Sequence, residues 1–170
     1  MDTQPESQNT SAAPHPNGLK LLLPVDATER SRWGIRYALR RKRAGHEDNV
    51  FLLFVAEPVT NWEVLRFRTQ EEVRHFQAEQ GQYLLEDAAQ PLALAGIPVR
   101  QNYREGSIVF QILDVAEQLD CGEIVLPMPR SRWSSLFSTD VVREVVRLKR
   151  GIPVCTVNAD GMIERSWQSR

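Results

Sequence analysis

Residues Lys20-Leu21-Leu22-Leu23-Pro24-Val25-Asp26 form an apolar run of strand length that stops on a carboxylate and passes into Ala27-Thr28-Glu29-Arg30-Ser31. A run that is apolar at successive positions, rather than at every second one, suits a strand buried on both faces. Strands of that kind lie inside parallel sheets covered by helices on both sides. Open α/β sheets bind ligands in the crevice outside the carboxyl ends of their strands, where the strand order reverses. Asp26 is therefore the first functional candidate. An Asp after a strand also commonly caps the following turn, and the sequence supports both roles.

The rest of the chain repeats the alternation that such a sheet needs. Trp33, Ile35, Tyr37, Ala38 and Leu39 fall among arginines in a helical pattern that closes at Gly45, and Val50 to Val55 is a second doubly apolar strand. The cluster Arg40-Arg41-Lys42-Arg43 sits where positive charge complements a helix carboxyl end. Both Thr60-Asn61-Trp62-Glu63 and Thr69-Gln70-Glu71-Glu72 have the capping-box spacing, and the second is the better helix start. From it Val73, Phe76, Tyr83, Leu84, Ala88 and Leu92 recur at helical spacing, with a kink or an end expected at Pro91. Asn61 to Arg68 then forms an insertion, a short helix or a lid. Ile97 to Tyr103, with Pro98 near its start, reads as an edge strand. Ser107 can cap a helix whose apolar positions Ile108, Phe110, Ile112, Val115, Ala116 and Leu119 are expected to face a sheet. Glu123 to Pro127 is the fourth strand, a helix runs from about Ser138 or Thr139 to a C-capping Gly151, and Pro153 to Val157 is the fifth strand. This order predicts an α/β fold with a three-layer, doubly wound, five-stranded parallel sheet. Residues 1–18, polar with little to bury, are expected to be a flexible tail, 19–158 the domain, and 159–170 a polar C-terminal tail.

Composition narrows the function. With 42% apolar and 25% charged residues and a net charge of −1, the 170-residue chain has an ordinary core and no general electrostatic footprint for nucleic acid. Asp2 and Glu6 with no apolar block argue against a secretory signal, and no run reaches the length of a membrane helix. A cytoplasmic protein without membrane or nucleic-acid partners is the expectation. Cys121 and Cys155 read as reduced buried thiols, and His15, His46 and His75 lack metal-ligand spacing, so no metal site is expected. No Ser/His/Asp, Cys/His or paired-carboxylate arrangement can be assembled, which predicts a protein that is not an enzyme.

Leu22-Leu23-Pro24-Val25-Asp26 with Ser31 and Ala38, the end of the Val55 strand, Gly106 with Ile112 and Ala116, Glu123-Ile124-Val125-Leu126 and Ile152-Pro153-Val154 occur in an order and spacing that resemble the universal stress protein family. The resemblance spans about residues 19 to 158. It implies a Rossmann-like, adenine nucleotide alpha hydrolase-like fold with strand order 3-2-1-4-5. It also implies homodimers joined through the fifth strand at Val154, Cys155, Thr156 and Val157. One branch of that family holds ATP or AMP, with the Asp after the first strand on the nucleoside and a glycine-rich loop after the fourth strand around the phosphates. The positions that would correspond here are Pro24, Asp26, Val55, Met128, Arg130, Ser131, Ser138 and Thr139.

The phosphate loop departs from that pattern. Pro127-Met128-Pro129-Arg130-Ser131-Arg132-Trp133 carries none of the glycines, which allow backbone amides to approach phosphate oxygens. Asp140 adds negative charge beside the helix start, whereas Arg130, Arg132 and the nearby hydroxyls could hold an anion by side chains. Trp133 is expected to fold over the place where phosphates would lie. A receiver domain, the other fold with an acidic residue here, would need an Asp after its third strand and a Lys after its fifth, where this chain has Tyr103-Arg104 and Asn158-Ala159. The expectation is a dimeric, non-enzymatic stress-response module acting through a protein partner, with weak or no nucleotide binding and no resident cofactor. The alternative is an ATP- or AMP-binding regulatory protein.

Overall fold

The computed structural model describes residues 18–59, 66, 68–129 and 139–168. The strands are β1 (Lys20–Pro24), β2 (Asn49–Ala56), β3 (Val99–Glu105), β4 (Glu123–Pro127), β5 (Val154–Val157) and β6 (Ile163–Trp167). The helices are α1 (Ser31–Arg43), α2 (Gln70–Leu94), α3 (Ile108–Gln118) and α4 (Thr139–Leu148). The sheet order is β3-β2-β1-β4-β5-β6, with β1 to β5 parallel and β6 antiparallel to β5.

Side chains alternate across a strand, so the doubly apolar runs supply two cores at once. Leu21 and Leu23 join Ile35 and Ala38 of α1 and Leu85 and Leu92 of α2 on one face. Leu22 turns to the other face and meets Ile112 of α3, Ile124 of β4 and Val145 of α4. This is the three-layer arrangement that the sequence predicts. Among the described residues no helix is long and apolar enough to cross a membrane.

The second capping box is present: the Thr69 hydroxyl accepts from the Glu72 amide, and the Glu72 carboxylate accepts from the Thr69 amide at 2.8 Å. The first, at Thr60, lies outside the described residues, as do Asn61 to Leu65 and Phe67. The helix does not stop at Pro91 but runs on to Leu94, because a proline one turn from the end removes a single hydrogen bond there. The apolar pattern read for α2 is also corrected. Phe76 and Tyr83 are 61% and 64% exposed, and Gly81, Leu85, Ala88, Ala89 and Leu92 form the buried stripe. Gly81 sets this rotation, since a Cβ there would come within 2.7 Å of Phe54 and 2.9 Å of Tyr103. Ser107 takes the N-cap position of α3, but its side chain makes no capping hydrogen bond, and Phe110, expected to face the sheet, is exposed while Leu113 is buried instead.

The larger correction concerns the carboxyl end. Residues 159–170 are not simply a polar tail, because β6 pairs with β5 from Val154↔Trp167 to Val157↔Ile163. The Asn158 side chain closes the hairpin, with Oδ1 accepting from the amides of Asp160 and Met162 at 3.0 Å. Arg36 of α1 pins it by donating to the Ala159 carbonyl at 2.7 Å. Val154, Cys155, Thr156 and Val157 are therefore at most 1% exposed and lie inside the sheet. The amides that an edge strand would offer to a second copy are spent on β6, so β5 is not an open dimerisation edge.

Candidate functional site

Pro24 prepares the crevice. The Val25 amide donates to Leu53 of β2 at 2.8 Å, so the alternate residue Pro24 turns its nitrogen towards β4, where it has no hydrogen to give. Pairing of β1 with β2 reaches Pro24↔Leu53, whereas pairing with β4 ends at Leu22↔Ile124. The sheet splits between β1 and β4, at the switch point where an α/β sheet receives ligands.

Asp26 stands at the mouth of that split and is 6% exposed. Its Oδ1 accepts from the Thr28 amide at 2.8 Å and the Thr28 hydroxyl at 2.6 Å. Ser31 tightens the same turn, its hydroxyl lying 3.1 Å from the Asp26 carbonyl and 2.9 Å from that of Thr28. The turn-capping role of Asp26 is thus filled by one oxygen. Oδ2 is buried without a hydrogen-bond partner among the described residues. Burial pushes the Asp26 carboxyl above its ordinary range, against the opposing pull of the Thr28 hydrogen bonds and the Arg30 charge.

Arg30 crosses the split. Its guanidinium donates to the Met128 carbonyl at the end of β4 and lies 5.1 Å from the centre of the Trp33 ring. The same Met128 spends its amide on the Val157 carbonyl of β5 at 2.8 Å, and Pro129 has no amide hydrogen. Where a phosphate cradle would start, both backbone groups of Met128 are engaged and the next donor is missing. Val55 is 4% exposed and packs into the α3 and α4 core, so it presents little surface to a ligand. Thr139 opens α4, followed by Asp140 in the first turn. Arg130, Ser131, Trp133 and Ser138 lie outside the described residues.

The expected positions Pro24, Asp26 and Met128 thus come together around the split. Sequence reasoning missed Arg30, which it assigned to the turn alone. The available signal was a cation four positions beyond the strand-ending carboxylate. At the opposite, amino end of the sheet lies a buried polar group that it also missed. The Tyr37 hydroxyl donates to Glu123 at 2.8 Å, and Arg41 pairs with Asp48 at 2.5 and 3.0 Å. Asp48 also accepts from the Leu19 amide at 2.9 Å, so this group ties the first strand to α1. Burial and then the neighbouring Glu123 push the Cys155 thiol upward, and burial raises Cys121 to about 11. Neither thiol is an activated nucleophile. Among the described residues no group of three or more His, Cys, Asp or Glu side chains could hold a metal ion.

The family model of the universal stress proteins matches residues 19–150, most of the chain and all of the sheet through β4 together with α4. The chain belongs to the universal stress protein family. Solved structures agree with this assignment at the level of the fold. A universal stress protein family member from Burkholderia pseudomallei is 15% identical with a TM-score of 0.66, over 85% of this chain and 98% of that one. The Lactobacillus plantarum protein is 17% identical with a TM-score of 0.64, over 84% and 99%. An Arabidopsis thaliana family member with AMP bound is 15% identical with a TM-score of 0.57, over 82% and 91%. Comparison with curated protein sequences finds no significant match. On this universal stress protein fold the chain carries an arginine that spans the β1/β4 split and a sixth strand on β5.

Proposed function

We propose that this universal stress protein is a cytoplasmic, non-enzymatic stress-response module that acts through protein association and holds adenine nucleotides weakly or not at all. The observation that carries the reading is the Arg30 bridge to Met128, made where a nucleotide would have to enter. A ligand must displace that contact and then find a phosphate site with the Met128 amide already committed and Pro129 lacking one. What remains is a nucleoside half built on Asp26, and one or two hydrogen bonds support a dissociation constant of roughly millimolar or weaker.

A second reading, a nucleotide-binding regulator, is favoured by one specific feature. Asp26 Oδ2 is buried and has no hydrogen-bond partner among the described residues, poised to accept from a ribose hydroxyl or an amino group. A family structure with AMP and another in complex with cAMP give that reading its ligand class.

Self-association in this protein belongs to β6 rather than β5. Among the described residues the strand is the edge on that side of the sheet, and an antiparallel copy across a two-fold axis would satisfy its outward amides and carbonyls. Native mass spectrometry of the purified full chain tests the assembly and the ligand together. The expected species is a dimer of two 19.5 kDa chains with no added nucleotide mass. A monomer at micromolar concentration contradicts the association, and a dimer carrying stoichiometric AMP, ATP or cAMP makes the second reading the correct one.

A further inference from the structure

The sixth strand creates a concavity of its own. Beyond β5 it extends the sheet past α4 and leaves a space of about 450 Å³ between the two elements, a size that suits a small organic ligand. Arg165 and Trp167 are two positions apart on β6 and so share a face, with Arg165 opposite Thr156 and Trp167 opposite Val154. From α4 come Val142 and Val146, one turn apart, and Arg143 beside them. Val142 is 5% exposed and forms the floor, and the Met128 side chain adds an apolar wall at the end of β4.

Two arginines meet this apolar surface, and neither is firmly neutralised. The Arg165 side chain makes no ion pair or hydrogen bond among the described residues. Arg143 reaches Asp140 at 3.7 Å, with both side chains mostly in water, where such a pair is weak and screened. Guanidinium forks recognise carboxylate and phosphate oxygens, and the indole of Trp167 offers a flat apolar face. Met128 stands between the two places, its carbonyl meeting Arg30 at the β1/β4 split and the residue lining this concavity.

We propose that the β6/α4 concavity is a binding site for a small organic anion, its planar apolar body against Trp167, Met128 and Val142 and its carboxylate or phosphate held by Arg143 and Arg165. This site is independent of nucleotide binding in the crevice. It exists because the chain continues into β6.

Titration of the ¹⁵N-labelled full chain with 2-naphthoate, read at the indole N–H of Trp167, tests it, with Trp167→Phe identifying the signal. The expected result is a saturable shift with a dissociation constant at or below about a millimolar, and at least about tenfold weaker binding of neutral 2-naphthamide. Arg165→Met, at an exposed position, is expected to weaken 2-naphthoate by about tenfold while Asp26→Asn leaves it unchanged. Comparison with 2-naphthyl phosphate distinguishes the two anionic groups, the tighter ligand naming the preferred one. Equal binding of the amide, no saturable shift, or loss of binding in Asp26→Asn but not in Arg165→Met would each overturn the proposal.

Discussion

Asp26 combines a satisfied oxygen and an unsatisfied one, and that asymmetry has a thermodynamic signature. Oδ1 holds the turn into α1 through Thr28, while Oδ2 is buried with no hydrogen-bond partner among the described residues. Burial raises the carboxyl above its ordinary value of 3.8 in the folded protein. As the pH rises through 3.8 the unfolded chain loses this proton first, so over the window up to the raised value the folded state binds more protons. Asp26 therefore favours the folded protein at low pH and costs stability once ionised. Asp26→Asn is predicted to remove that component: urea midpoints should move in the variant's favour between pH 4 and pH 7 relative to the parent. A variant that instead loses ground as the pH rises would show that the ionised carboxylate is stabilised, with a partner at Oδ2. Residues that cost stability without packing benefit are commonly kept for binding. That is the strongest argument at this scale for the nucleotide reading, and Arg30 is the residue that opposes it.

At the scale of elements, the hairpin from β5 to β6 depends on one backbone conformation. Gly161 has φ of +69°, and a Cβ on it would lie 2.5 Å from the Tyr37 amide nitrogen of α1. Gly45, with φ of +90°, has open space around the same position. Gly45→Ala should therefore cost about 1 kcal/mol from left-handed strain alone, and Gly161→Ala on the order of 2–3 kcal/mol because the clash adds to it. Urea unfolding measures both, and equal losses would mean that the hairpin does not press on α1 as described. This hairpin also marks where reading the sequence stops. β1, β2 and β4 are legible because burial on both faces requires apolar residues at successive positions, and α2 begins where its capping box places it. β6 escapes because Ile163, Glu164, Arg165 and Ser166 are exposed, so no buried face imposes a pattern on it. Its signal was in the turn, where Asn158 and Asp160-Gly161 are hairpin residues. The rotation of α2 was hidden for a related reason: Gly81, which has no side chain to show periodicity, carries the closest contact. At the site, Asp26 was legible from its place after β1. The Arg30 contact with Met128 joins residues 98 apart in sequence and needed the fold to bring them together.

Across the whole molecule, the sheet opens at its switch point between β1 and β4, and the Arg30–Met128 contact crosses the opening. Pro24 ends the ladder between β1 and β4, Arg30 spans the opening, and the Met128 amide just after β4 is already bonded to β5. The opposite end is tied by Tyr37, Glu123, Arg41 and Asp48, so the layers around the crevice are held at both ends. Calorimetric titration of AMP into the parent chain and Arg30→Ala, side by side, tests most directly whether Arg30 closes the crevice or serves a ligand within it. The account predicts no saturation of the parent below about a millimolar and tighter binding once Arg30 is removed. Low-micromolar binding by the parent that weakens in Arg30→Ala would contradict it, because Arg30 would then be a contact to the nucleotide and not the group that excludes it.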